Sequence, residues 1–121
     1  GQGGHYLKSR EKVVKIDQNS IDDSHGHLTN YMIDLSHGAS GEIVGNVMVQ
    51  GRDKDNWSAF IALGAEGTTA RTPQSLLIRD NMARFVPGLS RNSSFVADWI
   101  GEKVNMSDNQ LAAGIARYDR R

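Results

Sequence analysis

Short stretches of alternating apolar and polar residues dominate the first half of the chain, and this period of two predicts β-strands. Four such stretches, each bounded by residues that favour turns, lie at 12–17, 27–36, 42–50 and 57–63. The connection between the second and the third is short and contains two glycines, which is typical of a hairpin. We therefore predict an antiparallel β-meander of three to five strands over residues 12–63.

The segment 73–86 is compatible with two structures. Thr72 as a cap and Pro73 at the first helical position favour a helix. The apolar residues that would then share one helical face are Leu76, Leu77, Ala83 and Val86. Asp80 and Asn81 in the middle are poor helix formers and good turn residues, so a hairpin around them is the alternative. Of the two, the helix is preferred.

In the last quarter of the chain, apolar residues recur at intervals of three and four, which predicts two short amphipathic helices. The first spans 94–104, and the second begins after Ser107, whose hydroxyl can cap it. The residues predicted to close the core of the sheet are Trp99, Ile100, Val104, Leu111, Ile115 and Tyr118. The expected fold class is thus α+β, a meander followed by two or three C-terminal helices, and no internal repeat is recognised.

Length and composition further limit the domain organisation and the classes of function that the chain can have. The 121 residues correspond to one domain, divided into a flexible lead-in at 1–11, the meander, and a mainly helical part at 72–121. Apolar runs are too short to span a bilayer, so no membrane partner is expected. The absence of cysteine excludes disulfides, thiolate nucleophiles and cysteine-based zinc sites. Composition leaves the cellular compartment open, with the cytoplasm slightly favoured, and no cofactor is expected.

The two predicted helices, at 96–118, resemble a generic helix-turn-helix. Gly101 would allow the helices to approach closely, and Asn105 tolerates the backbone of the turn between them. In that motif the second helix enters the major groove of DNA. The resemblance implies nucleic-acid contacts by Asn109, Gln110, Arg117 and Arg120.

The charges of the same segment weigh against DNA binding. Its basic residues are Lys103, Arg117, Arg120 and Arg121, and its acidic residues are Asp98, Glu102, Asp108 and Asp119. Affinity for DNA depends on neutralising phosphates, and here the two signs cancel. The whole chain is also balanced, with 14 basic and 14 acidic residues. A helical corner packed on the sheet is therefore the preferred interpretation.

Histidines suggest a different chemistry. If the protein is a nuclease, His25, His27 and His37 are the candidate catalytic residues, because one histidine can act as base and another as acid in metal-free RNA cleavage. His25 and His27 could also share a metal ion, since residues two apart in an extended segment point the same way. No glutamate follows at the interval that such a metal site would use, so no metal site is predicted.

The sequence favours a small soluble binding or regulatory module that acts through protein or nucleic-acid contacts. Trp57 and Phe60, on one predicted strand, would be core residues or one side of a partner surface. An enzyme is less favoured, and the alternative is a metal-independent, histidine-dependent ribonuclease of the toxin type. A homo-oligomer is possible.

Overall fold

The chain winds into a parallel β-solenoid with three sheets. The computed structural model describes residues 2–4, 7–54, 56–66 and 73–121, without the side chains of 2–4 and 27–29. Within these ranges there is no α-helix, and hence none that is long and apolar enough to cross a membrane. The strands are β1 (Gln2–Gly4), β2 (Leu7–Ser9), β3 (Val13–Asp17), β4 (Ser20–Asp22), β5 (His27–Thr29), β6 (Ile33–Leu35), β7 (Ser40–Val44), β8 (Val47–Gln50), β9 (Ala59–Leu63), β10 (Ser75–Arg79), β11 (Met82–Phe85), β12 (Ser93–Asp98), β13 (Lys103–Ser107), β14 (Gln110–Leu111) and β15 (Ile115–Arg120).

Each turn of the solenoid adds one strand to each sheet. Sheet 1 contains β2, β6, β9, β12 and β15; sheet 2 contains β3, β7, β10 and β13; and sheet 3 contains β4, β8, β11 and β14. All neighbours in these sheets are parallel, and a separate parallel pair joins β1 to β5. We call the passage from sheet 1 to sheet 2 the first corner, that from sheet 2 to sheet 3 the second corner, and the return to sheet 1 the third corner.

Parallel register stacks equivalent side chains in columns that run along the solenoid axis. Ile16 lies beside Ile43 in sheet 2, and Ile43 lies beside Ile78. In sheet 1, Ile33 and Ile61 are paired in the same way. All five side chains are buried. A fully buried isoleucine contributes about 1.5–3 kcal/mol relative to an exposed one. Each turn therefore gains its stability mainly from the turns directly above and below it.

The second corner is held by a ladder of four asparagines, each one residue after a residue with positive φ. The asparagines are Asn19, Asn46, Asn81 and Asn109, preceded by Gln18, Gly45, Asp80 and Asp108. The Nδ2 of each of the first three donates to the Oδ1 of the next, at 2.9–3.0 Å, across sequence intervals of 27, 35 and 28 residues. This ladder marks an internal repeat, so the expectation that the chain has none was wrong.

The predicted α+β meander is also wrong, because the strands pair in parallel and over longer intervals. The predicted strand at 42–50 is divided by the second corner into β7 and β8, where Gly45 has a φ of 70°. The expected hairpin does not form, since β6 joins sheet 1 while β7 joins sheet 2. In addition, β2 lies inside the predicted flexible lead-in.

The preferred helix at 73–86 is replaced by β10 and β11, and Thr72 lies outside the described residues. The alternative hairpin had the correct strands and turn at Asp80 and Asn81, but the two strands do not pair with each other. Instead, β10 pairs with β7 and β13, and β11 pairs with β8 and β14.

The helix-turn-helix prediction at 96–118 is contradicted in the same way. This region contains the second half of β12, all of β13 and β14, and most of β15. The intervals of three and four arise because the chain turns a corner between successive apolar residues. Val96 packs in the core, Trp99 packs outside sheet 1, and Val104 packs against the core again from sheet 2. Residues on different faces of a solenoid thus mimicked one face of a helix.

Candidate binding groove on the outer face of sheet 1

Sheet 1 carries a second apolar cluster on the face turned away from the core. Its floor consists of Ala59, Ala62 and Ala97, all fully buried. The rings of Tyr31 and Trp99 pack on these alanines and meet edge to face at 6.1 Å. Small residues at these positions leave room for the two aromatic rings against the sheet. The outer face is therefore a structured surface on which neighbouring side chains are fixed.

A groove of about 340 Å³ lies next to this cluster on the same face. It is lined by Ser58, Asn92, Ser93, Ser94, Gly114, Ala116 and Arg121. Gly114 allows the turn before β15 to pass close to the third corner, since a Cβ at this position would lie 2.5 Å from the Arg91 carbonyl oxygen. The lining offers three hydroxyls, one amide and one guanidinium. These groups can form hydrogen bonds, but none of them is a general base near neutral pH.

Arg121 is the one charged group in the groove, and its orientation is fixed. Its Nη1 donates to Ser58 Oγ at 3.0 Å, and its Nη2 donates to the Ser58 carbonyl oxygen at 3.2 Å. The guanidinium carbon also lies 5.0 Å from the centre of the Trp99 ring, a cation–π geometry. Nε donates to Asp119 Oδ2 at 2.8 Å. The guanidinium is thus pre-organised at the end of the groove.

A second arginine–tryptophan pair lies beside the groove at the third corner. The guanidinium carbon of Arg91 lies 5.3 Å from the centre of the Trp57 ring. Trp57 is 45% exposed, a large fraction for this side chain. Ser93 Oγ donates to the Trp57 carbonyl oxygen at 2.8 Å, which connects the tryptophan segment to the groove lining. Trp57 therefore extends the groove with an exposed aromatic surface.

A buried ion pair supports the segment that carries Trp57. Lys54 Nζ lies 3.2 Å from Asp23 Oδ2, and both side chains are fully inaccessible to solvent. Lys54 also donates to the Asn30 carbonyl oxygen, and Asp23 accepts the Gly51 N–H. Burial lowers the pKa of Lys54, and the Asp23 carboxylate opposes this effect. These contacts join two successive passages of the third corner, the one after β4 and the one after β8.

The first corner is held by two buried carboxylates. Asp98 accepts the N–H groups of Ile100, Gly101 and Glu102 at 2.8–2.9 Å. Glu102 accepts the N–H of Ala39, which lies two turns of the solenoid and 63 residues earlier in the chain. Backbone N–H groups thus hold both carboxylates inside the first corner.

The ionisation of Tyr118 tests the hydrogen bonding at the first corner. Its hydroxyl donates to Asp98 Oδ2 at 2.7 Å, and burial together with this hydrogen bond raises the pKa of Tyr118 to about 12. The folded state therefore keeps the proton above pH 10, where the unfolded state loses it, and stability falls as pH rises from about 10 to 12. Titration followed at 295 nm should show that Tyr118→Phe removes a late transition. An unchanged curve above pH 11 would contradict the hydrogen bond.

The residues predicted to contact nucleic acid all lie on the last turns, but on different sides. Asn109 belongs to the asparagine ladder, and Gln110 is exposed beside it at the second corner. Arg117 reaches across to donate to the Met106 carbonyl oxygen, and Arg120 donates to that of Asp98. The structure does not unite them into one surface. Sequence reasoning missed Arg121, Ser58 and Ala116 as groove residues, because only long-range stacking brings them together.

The candidate catalytic histidines are placed at two corners. His25 is exposed at the third corner and His37 is exposed at the first. Strand β6, Ile33–Leu35, lies between the two corners and spans roughly 10 Å at the usual rise per residue. The side chain of His27 lies outside the described residues. A ribonuclease stays a prediction, and the positions of His25 and His37 do not add support for it.

Metal ligands and relatives provide no further indication of function. Among the residues that the structure describes, no group of three or more acidic or histidine side chains could hold a metal ion. Comparison with family models, with curated proteins and with solved structures gives no match for this chain. The function has to be inferred from the geometry of the groove itself.

Proposed function

We propose that this protein is a binding module and that it holds a protein partner in the groove on the outer face of sheet 1. The observation that carries the proposal is the pair of arginine–tryptophan stacks, Arg91 with Trp57 and Arg121 with Trp99, beside a groove lined with hydroxyls. Tryptophan and arginine are the residues most enriched at the energetic centres of protein interfaces.

The rigidity of the groove supports this role. Ser58 is fixed by two hydrogen bonds from Arg121, and Ser93 by its bond to the Trp57 carbonyl oxygen. Side chains that are already ordered lose little conformational entropy on binding, so more of the contact energy appears as affinity. The exposed Trp57 ring is large enough to serve as an anchor that a partner covers.

The charges near the groove favour a protein over a nucleic acid. A nucleic-acid site needs several cations aligned with phosphates. The groove lining contains one cation, Arg121, and Asp119 already pairs with it. Arg117 bonds to the Met106 carbonyl oxygen in sheet 2, so its guanidinium is directed away from the sheet 1 groove. The neutral hydroxyls and the amide of Asn92 suit the mixed hydrogen-bonding groups of a polypeptide.

Filling the groove should abolish binding. Ala116 is exposed and lines the groove, so Ala116→Trp places a large ring in it without disturbing the core. Peptides selected on the wild-type protein from a randomised display library should lose at least about tenfold in affinity for this variant, the equivalent of one good interface contact. Isothermal titration calorimetry with the selected peptides measures the change.

Ala113→Trp is the matched control, because Ala113 is also exposed on the same turn but does not line the groove. The control should bind the selected peptides as the wild type does. Equal binding to both tryptophan variants would contradict the proposal, and so would a library that yields no peptide. Selective binding of single-stranded RNA in place of peptides would also overturn it.

A further inference from the structure

The geometry points to a carboxylate as the group that Arg121 recognises, so that the partner segment is acidic and one of its Asp or Glu side chains replaces Asp119. This inference rests on the proposed function and adds the chemical class of the ligand. Within the chain, Asp119 Oδ2 accepts a hydrogen bond of 2.8 Å from Arg121 Nε. Asp119 thus shows which group the arginine prefers and where that group sits.

Arg121 is built as a receptor for a carboxylate. Its two Nη atoms bond to Ser58 and its face packs on Trp99, so the guanidinium cannot turn away. Two of its five N–H donors stay bonded to Ser58 when Asp119 leaves, so three, including that of Nε, are open to a ligand. A guanidinium held in place binds a carboxylate in two-point geometry at low entropic cost.

Asp119 is easily displaced. Its side chain is 45% exposed, whereas that of Arg121 is only 24% exposed. Exposed ion pairs of this kind contribute little to stability, commonly below about 1 kcal/mol. The Asp119 carboxylate can therefore turn into solvent while the arginine keeps its other contacts. An incoming carboxylate would meet a cation that is already desolvated on one face by the tryptophan ring.

Two neighbouring arginines at the third corner, Arg91 and Arg52, favour an acidic segment. Arg91 is half-buried beside Trp57, and the pKa of Arg91 is lowered by burial and by the neighbouring cation of Arg52. The Arg91 and Arg52 guanidiniums repel each other, and an incoming carboxylate would relieve that repulsion.

Removing the Asp119 carboxylate, which competes with the ligand for Arg121, should strengthen binding of an acidic peptide. The probe is a fluorescent oligo-glutamate peptide, and anisotropy reports its affinity. We expect Asp119→Asn to tighten binding about fivefold and Arg121→Lys to weaken it about tenfold, since lysine keeps the charge but loses the planar fork. The matched control is Asp108→Asn, which makes the same change of charge on the exposed second corner and should change affinity less than twofold.

The outcomes separate this inference from the proposed function. If library peptides bind the groove but the acidic peptide does not, the carboxylate inference is overturned and the binding module stands. If Asp119→Asn and Asp108→Asn changed the affinity equally, the effect would come from net charge alone, and the carboxylate inference would be overturned as well. A single-stranded RNA of equal charge should bind more weakly than the peptide and should not respond to Asp119→Asn. If the RNA bound as tightly as the peptide and responded to Asp119→Asn, the groove would be a general anion site and the inference of an acidic protein segment would be overturned.

Discussion

Replacing Asn81 with alanine is expected to destabilise the protein by about 4 kcal/mol, because several buried polar groups would lose their partners at once. Asn81 is 1% exposed in the middle of the ladder at the second corner. Its Oδ1 accepts both the backbone N–H and the Nδ2 of Asn46, at 2.9 Å each. Its Nδ2 donates to the Ile43 carbonyl oxygen and to Asn109 Oδ1.

The size of the effect follows from the position of Asn81 between two turns of the solenoid. An unsatisfied buried donor or acceptor costs about 1–3 kcal/mol, and alanine leaves at least two groups of Asn46 and one of Ile43 in that state. No water can easily replace the amide in a close-packed corner. The asparagine therefore holds both the turn before it and the turn after it.

Urea unfolding followed by far-UV circular dichroism measures this loss. The matched control is Asn105→Ala, since Asn105 is an exposed asparagine on the outer side of sheet 2 and its removal should change stability by less than about 0.5 kcal/mol. If the two alanine variants unfold at the same urea concentration, the ladder does not stabilise the fold as described.

Replacing Lys54 with methionine is expected to cost about 3–5 kcal/mol, because it removes the cation from a buried carboxylate. Asp23 would keep the Gly51 N–H but would lose the ammonium group at 3.2 Å. The loss should be partly repaired in the double variant Asp23→Asn, Lys54→Met, in which no charge is buried. A double-mutant cycle by urea unfolding therefore gives a large interaction energy between these two residues.

Lys15→Met is the control for this pair. Lys15 lies 3.9 Å from Asp17 on the surface, with 75% of its side chain exposed, so its removal should cost less than about 0.5 kcal/mol. The pH dependence adds a second check. Since burial lowers the pKa of Lys54 in the folded state, stability should rise as pH increases toward 10.5, and Lys54→Met should lose that rise. Additive single-variant costs would contradict a coupled buried pair.

Several strands could be predicted from local pattern, but their pairing could not. Apolar alternation located β3 and β9 nearly correctly, because one face of each strand is buried in the core. The same alternation is produced by a hairpin and by a solenoid. A solenoid is distinguished by a sequence pattern that recurs at long intervals. In this chain the recurring pattern is an asparagine that follows a turn residue and precedes an inward-facing apolar position. The signal was present at Asn19, Asn46, Asn81 and Asn109 but is visible only when those sites are aligned.

Even less of the groove than of the fold could be predicted from the sequence. Trp57 was recognised as a core residue or part of a partner surface, and its exposure is compatible with the second option. The role of Arg121 was hidden, because its partner Ser58 is 63 residues away in the chain. The positions of Asp98 and Glu102 were hidden for a related reason, since backbone N–H groups bind both carboxylates in the interior of the first corner.

By itself the sequence determined that the segments of β3 and β9 extend and that turn residues bound them, because both depend on neighbouring residues. Alternating side chains favour strands, and Gly45, Asp80 and Asp108 accept the positive φ of the second corner. Only the tertiary structure decided that the strands stack in parallel, that Asn81 and Asp98 are buried, and that Arg121 meets Trp99 and Ser58. These features depend on contacts between successive turns, and a contact across tens of residues leaves no local pattern from which it can be read.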